Sequence, residues 1–158
     1  MQDLTVAPNR IPWPPILFGA AILAAVGLGM LQPGPEWLRT SIWSVLGWIV
    51  LLAGLALDVF AMVVMRRQRA NILPNRAATT LVTGGPFAWS RNPIYLGNTV
   101  AMLGAALAFA NPWFVPAALA AAFGVVRLAI RREEAHLAAN FGVAWEAYSR
   151  RTARWFGW

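Results

Sequence analysis

The chain has 158 residues, 59% of them hydrophobic and 12% charged, and its 13 basic residues, all arginine, face 6 acidic ones for a net charge of +7. A soluble domain of this size carries about twice that charged share, and the apolar residues fall in long runs, so the composition indicates a membrane protein. With no cysteine and a single histidine, His136, a disulfide framework, a thiolate nucleophile and a histidine-based metal cluster are excluded, and no metal partner is expected.

Four segments are long and apolar enough to cross a bilayer, which takes roughly 17–25 helical residues. The first, residues 14–31, opens on Pro14-Pro15 and ends at Pro33-Gly34-Pro35. No charged n-region or A-x-A site surrounds it, so it reads as a span and not as a cleaved signal peptide. The second, residues 41–65, stops at Arg66-Arg67. The third and fourth, residues 94–110 and 112–130, form a hairpin around Asn111-Pro112. Proline stands at helix starts, where its missing N–H does no harm. The fold expected is a single all-α integral membrane domain of about four transmembrane helices and a cytoplasmic amphipathic C-terminal helix.

The arginines sort between the two sides. The connector, residues 66–93, holds Arg66, Arg67, Arg69, Arg76 and Arg91 with no acidic residue, and the tail, residues 131–158, holds five more against three glutamates. The turn between the first two spans has only Glu36 and Arg39. The positive-inside rule therefore puts both termini, the connector and the tail in the cytoplasm. Charge that sets topology gives no support to nucleic-acid binding.

Asp58 lies about 10 Å below the cytoplasmic end of the second span at helical rise, and Arg127 one turn from the end of the fourth. An ionised group at that depth costs on the order of 2.5–3.5 kcal/mol on insertion scales, so both are expected to face the protein interior. Asp58 either pairs with an arginine to fix helix packing or lines a cavity. In the tail, Leu137, Phe141, Trp145, Tyr148 and Thr152 recur at helical spacing, with a break or bend at Gly142. The closing Arg154-Trp155-Phe156-Gly157-Trp158 suits an interfacial anchor.

The long polar connector is where chemistry is expected, since structured connectors are disproportionately functional. Gly84-Gly85-Pro86 requires a turn. Arg91 precedes the start of the third span, whose unsatisfied N–H groups favour an anion, and it can clamp a carboxylate or phosphate. The fourth span emerges into Arg131-Arg132-Glu133-Glu134. Adjacent glutamates point about 100° apart on a helix, so one can face a cavity, and a carboxylate accepts from a ribose diol or an amino group. Both patches belong to one membrane face.

The ordered set Leu81-Val82-Thr83-x-Gly85-x-Phe87, Arg91-Asn92-Pro93-x-Tyr95-x-Gly97, Asn111-Pro112, Glu133-Glu134 and Phe141-Gly142-x-x-Trp145-x-x-Tyr148 covers nearly half the chain. It resembles the isoprenylcysteine carboxyl methyltransferase family, which is related to the phospholipid N-methyltransferases. The resemblance implies a bundle of transmembrane helices with S-adenosylmethionine held at the cytoplasmic side by connector and tail. Carried over by position, Thr79, Thr80, Leu81, Val82 and Phe87 line the cofactor pocket; Asn92, Pro93, Ile94 and Tyr95 continue it; Glu133 contacts the cofactor. The chain departs from the family twice. Asn92 stands where the eukaryotic enzymes have histidine. Ala129 stands where the prenylcysteine enzymes place a substrate-binding arginine, and Arg127 or Arg131 could replace it.

The function expected is methylation of a lipid or prenyl-like acceptor (carboxylate, amine or thiol). Arg91 and Glu134 are the candidate catalytic groups, and Arg127, Arg131 and Asp58 the candidate substrate contacts. A carboxylate or thiolate acceptor needs no general base; an amine must lose a proton, which His136 or Glu134 could take. Two other readings accommodate the same chain: a non-enzymatic basic membrane scaffold, and an NADPH-dependent reductase of the wider superfamily.

Overall fold

Proline sets where the helices begin. In the computed structural model, which describes residues 11–71 and 79–157, helix α1 (Trp13–Leu31) carries Pro14 and Pro15 in its first turn, and α3 (Pro93–Ala108) starts on Pro93 itself. Between them α2 (Ser41–Arg67) follows a short 3₁₀ turn, Glu36–Arg39. Arg76, expected in the basic connector, lies outside the described residues, as does Trp158.

The second half of the chain runs through α4 (Phe114–Val125), a π turn (Val126–Ile130), α5 (Arg131–Phe141) and α6 (Val143–Arg151). Gly142, at φ 46°, breaks the tail helix where its sequence indicated. A π turn holds one residue more than an α turn, so side chains beyond it are rotated by roughly 100° from where a continuous α-helix would carry them. That offset falls just before Glu133 and Glu134.

Among the described residues, three helices are long and apolar enough to cross a membrane: α1, α2 and the stretch Phe114–Arg151. The third expected span is shorter. α3 has 16 residues, about 24 Å at helical rise against a hydrocarbon core of about 30 Å. It ends early because the chain turns at Ala110, in a left-handed conformation of φ 49°, and Asn111. The Asn111 side chain then accepts from Trp113 N (3.1 Å) and donates to Ala25 O of α1 (2.9 Å), tying the α3–α4 turn to α1.

α2 and α3 pack antiparallel along most of their length. Gly47 and Gly54 of α2 face Ala108 and Ala101, and Gly104 and Gly97 of α3 face Leu51 and Asp58, so closely that a Cβ on any of these glycines would collide with the partner helix. Small residues at a helix interface permit this approach of backbones where lipid provides no hydrophobic drive. α1 packs on α4, and the main core lies between them and α3, around Phe18, Ala25, Met102, Phe114, Ala118, Val125 and Ile130. The starts of α1 and α3 therefore meet the ends of α2 and α4 at one end of the bundle.

Candidate functional site

At that end a cavity of about 340 Å³ opens among α1, α2, α3, α5, α6 and the connector, within the size range of small-molecule sites. Its walls are mostly apolar: Phe18, Met62, Met65, Leu81, Val82, Phe87, Ile94 and Leu137. Its polar groups include Asn71, Thr80, Arg91, Asn92, Tyr95, Asn98, Glu133, Glu134, His136 and Tyr148.

The turn before α3 and the exit of the fourth helical segment converge there. Tyr95, in the first turn of α3, donates its hydroxyl to Glu133, 3.0 Å from Oε1 and 3.3 Å from Oε2. Arg91 pairs with Glu134 at 3.1 Å, both side chains largely buried, and its guanidinium carbon stands 5.7 Å from the centroid of the Trp145 ring. The Nε of Arg91 is buried without a hydrogen-bond partner.

The segment after α6 completes the site. Arg154 lays its guanidinium on Glu134, Nε to Oε1 at 3.1 Å and Nη2 to Oε2 at 2.5 Å, and this hydrogen bonding holds the guanidinium above its ordinary pKa. The carbonyl of Arg154 accepts from Asn92 Nδ2 (3.1 Å) and Ser90 Oγ (3.4 Å), and the carbonyl of Ala153 accepts from Arg91 N (2.9 Å). Tyr148 donates to the carbonyl of Phe87 at 2.7 Å. Main chain around Arg91 is thus held by the tail, not only by its own helix start.

Among the residues picked from the sequence, Thr80, Leu81, Val82, Phe87, Arg91, Asn92, Pro93, Ile94, Tyr95, Glu133 and Glu134 all line this one cavity. Four do not. Thr79 is exposed at the edge of the described connector. Arg131 is exposed, and Arg127, also exposed, lies 4.8 Å over the ring of Phe123. Asp58 is buried between α2 and α3 against Gly97, and its Oδ1 has no hydrogen-bond partner. The arginine pairing that was one alternative for Asp58 is not formed among the described residues.

Several contributors were not picked from the sequence. Pro14, Pro15 and Phe18 bring the first helix into the wall, and Met62 and Met65 the second. The double proline was visible as a helix start but carried no sign of a site. Arg154 was read only as part of an interfacial anchor; of that stretch, Trp155 packs against the main core and Phe156 is exposed. No local pattern links Arg154 to a glutamate twenty residues earlier.

The chain is 30% identical over 137 residues to the nickel-cobalt-cadmium resistance protein NccN of Alcaligenes xylosoxydans xylosoxydans, covering 87% of this chain and 60% of that protein. It is 34% identical over 87 residues to the cobalt-zinc-cadmium resistance protein CzcN of Cupriavidus metallidurans, covering 55% of this chain and 40% of that protein. Both matches take in less than two thirds of the relative's length. Residues 42–144 match the family model described as phospholipid methyltransferase, a stretch that includes Arg91, Tyr95, Glu133 and Glu134 and stops short of Arg154. This chain belongs to the phospholipid methyltransferase family.

Proposed function

We propose that this protein is a membrane methyltransferase that takes its methyl group from S-adenosylmethionine and passes it to a lipid-like acceptor at the cytoplasmic face. The observation that carries the reading is the convergence of the Arg91–Glu134 and Tyr95–Glu133 pairs on one largely apolar cavity.

The residues present fit such a donor. Glu133 and Glu134 are acceptors for a ribose diol or an ammonium group, and Arg91, with its orphaned Nε, is a donor for a carboxylate. Val82, Phe87 and Ile94 offer apolar surface to an adenine ring. Bound there, S-adenosylmethionine would supply an electrophilic methyl group on a positively charged sulfur.

The chain's own groups then do three things. The apolar walls exclude water, which strengthens every charge interaction inside. The carboxylates and Arg91 fix orientation, and holding two reactants in line can contribute about 7–11 kcal/mol to lowering the barrier. Pro14, Phe18, Met62 and Met65, contributed by helices of spanning length, offer an apolar wall to a lipid-like acceptor. The arginines of the connector and tail support a cytoplasmic position for this end of the bundle.

Isothermal calorimetry of adenosylhomocysteine against the protein in detergent tests the reading. Saturable binding is expected, lost in Glu133→Ala while the thermal midpoint of that variant stays near wild type. A wild-type protein that binds neither adenosylhomocysteine nor S-adenosylmethionine in detergent or lipid nanodiscs overturns it.

A further inference from the structure

The described arginines of the connector and tail belong to the end of the bundle that holds the cavity, and topology accounts for them there. Arg39 stands at the other end, in the 3₁₀ turn between α1 and α2. The positive-inside rule gives no reason for a cation in that place. Arg39 is exposed, and none of the ion pairs among the described residues includes it.

Arg39 lines a second recess, of about 620 Å³. Most of its other walls are apolar. Ile22, Val26 and Met30 recur every fourth residue on one face of α1, and Phe109 and Phe114 flank the α3–α4 turn. Ile22, Val26, Met30 and Phe109 are exposed. No acidic residue is among the described walls.

The recess follows from the shortness of α3. Asn111, in the turn after it, donates to Ala25 O at 2.9 Å, while α1 runs on to Leu31, about 9 Å of helix beyond that contact. On the other flank Ser44, in the first turn of α2, donates to Ala108 O at 3.4 Å. The chain leaving α1 folds back onto the sunken turn, so closely that a Cβ on Gly34 would collide with Ala110 O. Beside Arg39, the exposed rings of Trp37 and Trp43 meet edge to face. Tryptophan favours the headgroup region, which sets Arg39 at the level of lipid phosphates.

We propose that this recess holds one anionic phospholipid from the leaflet at that end, its phosphate on the Arg39 guanidinium and an acyl chain along Ile22, Val26 and Phe109. A guanidinium takes a phosphate through two parallel N–H groups. A zwitterionic headgroup would bring an ammonium to walls that offer it no carboxylate, so net negative charge is selected. The lipid also fills the space that a helix shorter than the hydrocarbon core leaves open. The site is separate from the cavity at the other end, and its occupancy does not depend on methyl transfer.

Native mass spectrometry of the full-length protein in detergent, titrated with phosphatidylglycerol or with phosphatidylcholine of the same chains, tests the proposal. Wild type is expected to retain one phosphatidylglycerol about tenfold more tightly than phosphatidylcholine, as a hydrogen-bonded charge pair implies. Arg39→Gln is expected to make the two lipids nearly equal. Arg132→Gln, which removes an exposed arginine of α5, is expected to leave the preference intact. In nanodiscs, a phosphatidylglycerol carrying a diazirine in its acyl chain is expected to label residues 22–30 and 109–114. That labelling is expected to fall in Val26→Trp, whose ring fills the recess. Equal affinity of wild type for the two lipids overturns the proposal, as does an equal loss in Arg132→Gln and Arg39→Gln. Labels spread evenly over all the helices overturn it too, and so does a lipid-free dimer that shields residues 22–30 from the probe.

Discussion

Arg154 grips Glu134 through two nitrogens while its own carbonyl accepts from Asn92 across the mouth of the cavity. One residue beyond the last helix therefore fixes both the acidic exit and the turn before α3. Arg154→Ala removes the grip and leaves Glu134 to Arg91 alone. Because the Arg154 side chain is about one third exposed, the stability loss is modest, about 1 kcal/mol, or roughly 2–4 °C in thermal midpoint. The effect on adenosylhomocysteine affinity is larger, about tenfold, since Glu134 loses its fixed orientation. Arg154→Lys recovers charge but not the two-nitrogen geometry, and so only part of the affinity. Calorimetry and thermal unfolding of the two variants check this; equal affinity in wild type and Arg154→Ala would remove Arg154 from the site.

Tyr148 reaches from α6 to the carbonyl of Phe87, a buried bond between the tail and the connector. Tyr148→Phe keeps the ring packed against Trp145 and deletes only the hydroxyl. The Phe87 carbonyl is left without that donor, a cost of about 1–3 kcal/mol. A fall of several degrees in midpoint is expected, with faster proteolysis near residues 79–90 as the connector loosens. Unchanged cleavage there would show that other contacts hold the connector.

Tyr95 and Glu133 separate orientation from charge. Tyr95→Phe keeps the carboxylate but frees it from its hydroxyl donor; Glu133→Gln keeps shape and removes charge. Donor affinity is expected to fall by a few-fold in the first and by at least tenfold in the second, because hydrogen bonds to a charged acceptor are about twice as strong as neutral ones. If the two variants bind adenosylhomocysteine equally, the charge of Glu133 is not what the ligand uses.

The helices were legible in the sequence because apolar runs and proline starts are local signals; the boundaries of α1 and α2 differ from the expected spans by only one or two residues. The convergence of Arg91 with Glu134 was legible only through the order of motifs, since hairpin connectivity brings entry and exit of one helical pair to the same end. Three things were not readable. The π turn before Glu133, Val126–Ile130, contains no proline or glycine that would announce it. The Arg154 contacts join positions 62–64 residues apart to a segment with no repeat or spacing cue. And Asp58, an acid in an apolar run, met a glycine where an arginine or a cavity was the expected neighbour, because the α2–α3 interface is selected for small size, which hydropathy does not report.

That interface allows a last prediction. A methyl group on Gly97 would run into the Asp58 carboxylate and the carbonyl of Gly54, with backbone on one side and a short side chain on the other, so the helices must part. Overpacking of this kind costs about 1–3 kcal/mol, and Gly97→Ala is expected to lower the thermal midpoint in detergent accordingly. Gly97 follows Tyr95 by two residues on α3, so a displaced α3 also shifts the Tyr95–Glu133 bond, and donor affinity falls with stability. Asp58→Ala in the same background removes the nearer obstacle and leaves the Gly54 carbonyl, so it restores part of both losses. The two substitutions are in contact and should couple by about 0.5 kcal/mol or more in a double-mutant cycle. Simple additivity, with Gly97→Ala as damaging in the Asp58→Ala protein as in wild type, would mean that the Asp58 carboxylate does not fill the space beside Gly97 and that the α2–α3 packing is set elsewhere.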